Sequence, residues 1–140
     1  MQRKKFLKTS CSICLLASAG SFVSMFSSCA PAMVFKTRIV NNKIFVPISH
    51  FEKNNLQIIR ARGAEFDIAL RKEKDGTYIA LLLKCTHAEN ALTSTGNGFI
   101  CTVHGSKFDP EGLVTKGPAA HTLKKYQTQI VSENIIISIH

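Results

Sequence analysis

From residue 33 onward, apolar and polar positions fall into short runs bounded by turn-forming residues. "MVFKTRIV" and "KIFVPI" flank Asn41 and Asn42, and "LQIIRA" and "EFDIAL" flank residues 62–64, where Gly63 supplies the turn. "TYIALLLK" follows Asp75 and Gly76, a strong hairpin signal. "YQTQIVSENIIISI" predicts two final strands on either side of residues 132–134. No longer span keeps a helical period, and "SHFEKNN" amounts to one helical turn at most. The pattern predicts an all-β fold.

Between residues 84 and 123 the regularity breaks down. Gly96, Gly98, Gly105, Gly112 and Gly117 gather there with Pro110 and Pro118. The segment reads as two loops on a β scaffold, which is where a site is usually placed. No internal repeat or low-complexity tract accompanies it.

Length and composition set the scale. The 140 residues suffice for one domain, with 45% hydrophobic and 19% charged residues and no tryptophan. The formal charge of +9 overstates the basicity of the folded part, because Arg3, Lys4, Lys5 and Lys8 lie in the first ten residues. Taking those four from the 18 basic residues leaves 14 against 9 acidic ones. The remaining cations are scattered, without a basic run interleaved with aromatics, which argues against nucleic-acid binding. A solvated surface is the plain reading of them, and a mildly basic face towards an acidic partner or lipid headgroups is the other.

The first thirty residues have the layout of an export signal: the cationic "MQRKKFLK", a moderately apolar stretch over residues 11–26, then small residues. Ser12, Ser18, Gly20 and Ser21 interrupt the stretch and make it a weak membrane span. "RKKFLK" resembles a twin-arginine signal with Lys4 in the second arginine place, and "FSSC" at residues 26–29 resembles a bacterial lipobox. The organisation expected is a signal over residues 1–28, a tether and first strand over 29–42, and a folded domain over 43–140. Acylation at Cys29 would anchor an exported lipoprotein to its membrane. An uncleaved signal anchor and simple cleavage to a soluble protein are the alternatives.

The chemistry is concentrated in two clusters. "CTH" holds Cys85 and His87, and "CTVH" holds Cys101 and His104. If Cys11 and Cys14 leave with the signal and Cys29 carries lipid, Cys85 and Cys101 are the remaining cysteines. A Cys85–Cys101 disulfide is then feasible in an exported protein, but it leaves the paired histidines unexplained. Four such ligands in two loops suit a tetrahedral zinc site or an iron–sulfur centre, and ligand type alone does not choose. His50, His121 and His140 have no cysteine at ligand spacing and read as surface or packing residues.

The surroundings choose. Cys-x-His, then Cys-x-x-His-Gly-Ser followed by "FD", Gly112 and a "GPA" loop beginning at Gly117, resembles the Rieske 2Fe–2S proteins over roughly residues 43–139. The resemblance implies a small antiparallel β sandwich or barrel with two cluster-binding loops at its tip. It implies one 2Fe–2S cluster, with Cys85 and Cys101 on the inner iron and His87 and His104 on the outer iron. Gly117, Pro118 and Ala119 would cover the cluster from a third side, and Gly105 reads equally as a plain turn residue or as a close approach of the backbone to the cluster.

Two thiolates and two neutral imidazoles leave a diferric two-sulfide core neutral, whereas four thiolates leave it at −2. Adding an electron is easier in the first case, and such centres span roughly −150 to +300 mV. Ser106 stands where quinol-oxidising members have a serine donating to a bridging sulfide, which stabilises the reduced state. Phe108 stands where those members have a donating tyrosine. Asn90 and Val103 stand where they have a disulfide joining the loops. One of three tuning devices is therefore kept, and an intermediate potential is expected.

The function these residues imply is single-electron transfer for an exported or membrane-bound oxidoreductase system, between a redox protein donor and acceptor. The iron–sulfur subunit of a quinol-oxidising cytochrome bc-type complex is the alternative, and a structural zinc module the second. No catalytic residue of a stand-alone enzyme is evident.

Overall fold

The computed structural model describes residues 33–140. The expected export signal, Cys29 and the start of the tether lie outside the described residues. Strands β1 (Val34–Arg38), β3 (Leu56–Arg62), β4 (Ile68–Lys72), β5 (Tyr78–Leu82), β10 (Lys125–Val131), β11 (Asn134–Ser138) and β2 (Lys43–Pro47) form a seven-stranded sheet in that order. A second sheet takes β6 (Thr93–Ser94), β7 (Phe99–Ile100), β8 (Lys107–Phe108) and β9 (Val114–Lys116). One 3-10 turn, Ile48–Phe51, falls where at most one helical turn was predicted.

The local hairpins form as the pattern predicts: β3 pairs antiparallel with β4, β4 with β5, and β10 with β11. The first pair differs. Asn41 and Asn42 take the two left-handed positions of a tight turn, φ 50° and 58°, and Val40 and Lys43 exchange two hydrogen bonds of 2.9 and 3.0 Å. Beyond that bridge the strands part. β1 pairs in parallel with β3, and β2 pairs antiparallel with β11. The reason is burial: Ile44 and Val46 are fully enclosed opposite Ile137 and Ile135, which a β1–β2 hairpin would forgo. β1 and β2 are thus the two ends of the large sheet, and the asparagine turn joins them across the seam of a nearly closed barrel.

Side-chain alternation then gives the central strands two buried faces. Ile59, Ala61, Ile68, Leu70 and Ala80 point into the barrel with Ile44, Val46, Ile135 and Ile137. Their neighbours Ile58, Ala69 and Leu81 point outward and pack on a second core containing Leu83, Cys85, Leu92, Phe99, Cys101, Phe108 and Leu123. The small sheet therefore rests on the outer face of β3, β4 and β5, which is why apolar residues follow one another at 58–59, 68–70 and 78–82 rather than alternating with polar ones. Arg71 of β4 fastens the two layers by reaching both Glu73 and Glu111 at 2.7 Å.

Candidate metal centre

The two predicted loops occupy equivalent places, one between β5 and β6 and one between β7 and β8. They are built alike. Cys85 N–H donates to the Asn90 carbonyl (2.8 Å) and Glu89 N–H donates back to the Cys85 carbonyl (2.9 Å). In the second loop Cys101 N–H donates to the Ser106 carbonyl and Gly105 N–H to the Cys101 carbonyl, both at 2.9 Å. The fourth residue after each cysteine is left-handed: Glu89 at φ 55° and Gly105 at φ 78°. Each loop thus turns back on its own cysteine and lifts its histidine outward.

Burial divides the four donors into two pairs. Cys85 and Cys101 are 1% and 0% exposed, within the second core, and both are free thiols, so the disulfide alternative is not realised. His87 and His104 face solvent, with ring centroids 5.0 Å apart and planes nearly perpendicular. Burial pushes the Cys85 thiol up, but the backbone N–H groups of His87 and Ala88, with the Cys101 and Ser106 side chains, outweigh it and hold it below its ordinary value. Among the described residues, no three His, Cys, Asp or Glu side chains converge as a single-ion site requires. Two buried sulfurs and two solvent-facing nitrogens fit, in kind and number, a two-iron cluster with a pair of donors for each iron.

The third loop is tied to both others. Ser106 is fully buried, and its Oγ accepts a 3.0 Å hydrogen bond from Ala119 N–H. Its own proton is free to reach the Cys85 sulfur. Thr86 Oγ1 donates to the His121 carbonyl at 2.7 Å, fixing the first loop to the same segment. Gly117 and Pro118, joined by a cis peptide, lie exposed at its outer end, while Ala119 is buried.

Phe108 is the largest of the fully buried side chains and pairs across the small sheet with Phe99. Asn90 is held within the first loop through the Ala88 carbonyl, and Val103 stands 56% exposed. Asp109 caps the turn after β8, its Oδ1 accepting from Glu111 N–H (2.9 Å) and Leu113 N–H (2.8 Å). Asp109→Ala is expected to lower stability by about 1 kcal/mol in urea denaturation, since both donors fall back on water.

Of the histidines set aside in the sequence, His50 packs on Phe35 with ring centroids 4.5 Å apart. His121 and His140 contribute backbone carbonyls to Thr86 and Lys124. The residues the sequence did not single out are Thr86, Glu89 and Gly98. A threonine hydroxyl bonding a distant carbonyl and a glutamate in left-handed conformation leave no mark in spacing. Gly98 was visible only as one glycine among several.

Fold and donors together define a small all-β cluster-binding domain. A model of the Rieske [2Fe-2S] domain matches residues 41–127, and the chain belongs to that family, whose domain binds one 2Fe–2S cluster. It is 37% identical over 70 residues to the cytochrome b6-f complex iron-sulfur subunit 1 of Synechocystis sp., covering 47% of this chain and 39% of that protein. It is 26% identical over 89 residues to the mitochondrial cytochrome b-c1 complex subunit Rieske of Gallus gallus, covering 61% and 32%. The matches thus span well under half of those relatives.

Among solved structures, the cyanobacterial plasma membrane Rieske protein from Synechocystis superposes with a TM-score of 0.56 at 23% identity, covering 67% of this chain and 97% of that one. Naphthalene 1,2-dioxygenase gives 0.57 at 20% identity, covering 71% and 26%. These two likenesses show the fold.

Proposed function

We propose that the chain is an electron-transfer protein that holds its cluster through Cys85, Cys101, His87 and His104. The carrying observation is the division of these donors into a buried thiol pair and a solvent-facing imidazole pair. A bound 2Fe–2S cluster takes up and releases one electron. The chain's own residues set how readily: the N–H groups of His87 and Ala88 and the Ser106 hydroxyl offset negative charge at Cys85, while the second core keeps water from both sulfurs. His87 and His104 stand at the surface, where a redox partner can approach. The partners are a donor and an acceptor protein of an exported or membrane-bound oxidoreductase system.

Residues 1–29 support the further reading that the chain is exported and tethered by lipid at Cys29. The mass of the native chain tests it: a chain beginning at an acylated Cys29 is expected.

A second reading, the iron–sulfur subunit of a quinol-oxidising complex, is favoured by the names of the relatives above. Phe108, Asn90 and Val103 weigh against it, because a buried phenyl ring donates no hydrogen bond and no disulfide can join the loops at those positions. A redox titration over a pH series separates the two. An intermediate potential is expected; a high potential that falls with pH from near neutrality would assign the chain to quinol oxidation. Phe108→Tyr is expected to raise the potential by placing an O–H donor in the second core. An unchanged potential would mean that this side chain does not reach a sulfur.

A further inference from the structure

The outer face of β1 and β3 carries four cations in two rungs. The parallel register sets Lys36 beside Arg60 and Arg38 beside Arg62, and all four are exposed around an open cleft of about 640 Å³. Like charges directly opposite on a sheet repel. Asp67 relieves one of them, meeting Arg60 at 2.7 and 3.0 Å, but among the described residues no carboxylate lies within salt-bridge distance of Lys36, Arg38 or Arg62. The same strand and the residues flanking it expose apolar side chains beside them. Val34 (44%) and Val40 (41%) alternate onto the face of Lys36 and Arg38, and Met33 (59%) precedes them. In sequence, this strand begins five residues after Cys29.

We propose that this face lies on a membrane surface and binds the phosphate groups of anionic lipids, with Val34 and Val40 entering the headgroup layer. Cations interleaved with exposed aliphatic residues are the composition of an interfacial surface, the cations meeting lipid phosphates and the aliphatic side chains the acyl boundary. The choice of a lipid occupant rests on the proposed tether at Cys29, since a domain held there has its first strand nearest the bilayer. The face also fixes an orientation. Ile58, Arg60 and Arg62 share one side of β3, so the side that carries the cluster-bearing layer also carries the basic rungs.

The test uses the full chain carrying Cys29→Ser, which has no lipid to mask the surface, and sedimentable phosphatidylcholine vesicles with or without phosphatidylglycerol. Adding Lys36→Gln, Arg38→Gln and Arg62→Gln is expected to weaken binding to the anionic vesicles on the order of a hundredfold, about fivefold per cation. The first 32 residues are common to all the chains compared, so any difference in binding between them arises from the substituted residues. Lys74→Gln, Lys116→Gln and Lys125→Gln together remove the same charge from the β4–β5 turn, β9 and β10, away from β1 and β3, and are expected to weaken binding far less. Equal weakening by the two triple variants would reduce the effect to net charge and overturn the proposal. So would unchanged binding in the first variant. Face-dependent retention on polyglutamate without vesicle binding would assign the face to an acidic protein instead, and likewise overturn it. Circular dichroism checks folding, and the single substitutions, each about fivefold, serve if the triple variant does not fold. Acylation of Cys29 is read separately by mass, so its absence would leave the vesicle result standing.

Discussion

Cys101→Ser is expected to give a chain that retains neither iron nor acid-labile sulfide, with the visible absorption of the cluster lost. Cys101 is completely enclosed in the second core, and its loop closes on it through Ser106 and Gly105. Serine offers an alkoxide precursor with a far higher pKa than a thiol and a harder oxygen donor, so it neither deprotonates nor matches iron in a sulfide core. It also leaves a hydroxyl among Leu83, Phe99 and Phe108. His104→Cys makes the informative contrast. It keeps four donors but adds a negative charge at the exposed end, so either the cluster is lost or its potential drops sharply. A Cys101→Ser chain that kept full iron and sulfide would remove Cys101 from the ligand set.

Gly98→Ala is expected to unfold the cluster-bearing layer at a lower denaturant concentration than any other glycine substitution in the loops. Gly98 sits at φ 135°, and a Cβ built there runs into the Phe108 carbonyl oxygen, with Asp109 Cα at 3.2 Å. Neither atom can yield, because β7 and β8 are paired at Phe99 and Phe108, and Asp109 is held by the turn it caps. The cost is expected at the upper end of the roughly 1–3 kcal/mol seen for overpacking, or above it. Gly105 supplies the control. Its φ is 78° but nothing lies within 4 Å of a Cβ, so Gly105→Ala carries only the backbone term, about 1 kcal/mol. Denaturation of both variants, followed by far-ultraviolet circular dichroism and by cluster absorbance, checks the order. Equal losses would mean that the close approach at Gly98 is not rigid.

These two variants mark what the sequence disclosed and what it withheld. The thiols and imidazoles were legible because they lie in two compact motifs, and so were β3 to β5 and the β10–β11 hairpin, whose partners are neighbours along the chain. The separation of β1 from β2 was not. Asn41 and Asn42 announce a tight turn, yet whether two strands continue past it depends on Ile135 and Ile137, some ninety residues away. The parallel β1–β3 pairing was hidden for the same reason. Within the site, the matched loop geometry is carried by backbone hydrogen bonds that residue type does not encode. Glu89 obscured the match further, since glycine marks the left-handed position in one loop and glutamate fills it in the other. Asp109 serves as a turn cap, a role that shows only once Glu111 N–H and Leu113 N–H are seen to share its Oδ1.

The central claim is that this chain holds a 2Fe–2S cluster between a buried cysteine pair and an exposed histidine pair. Iron, acid-labile sulfide and zinc analysis of the anaerobically purified protein tests it most directly. Iron and sulfide in equal amounts, about two of each per chain, with no stoichiometric zinc, is the expected result. One zinc per chain and no acid-labile sulfide would contradict it.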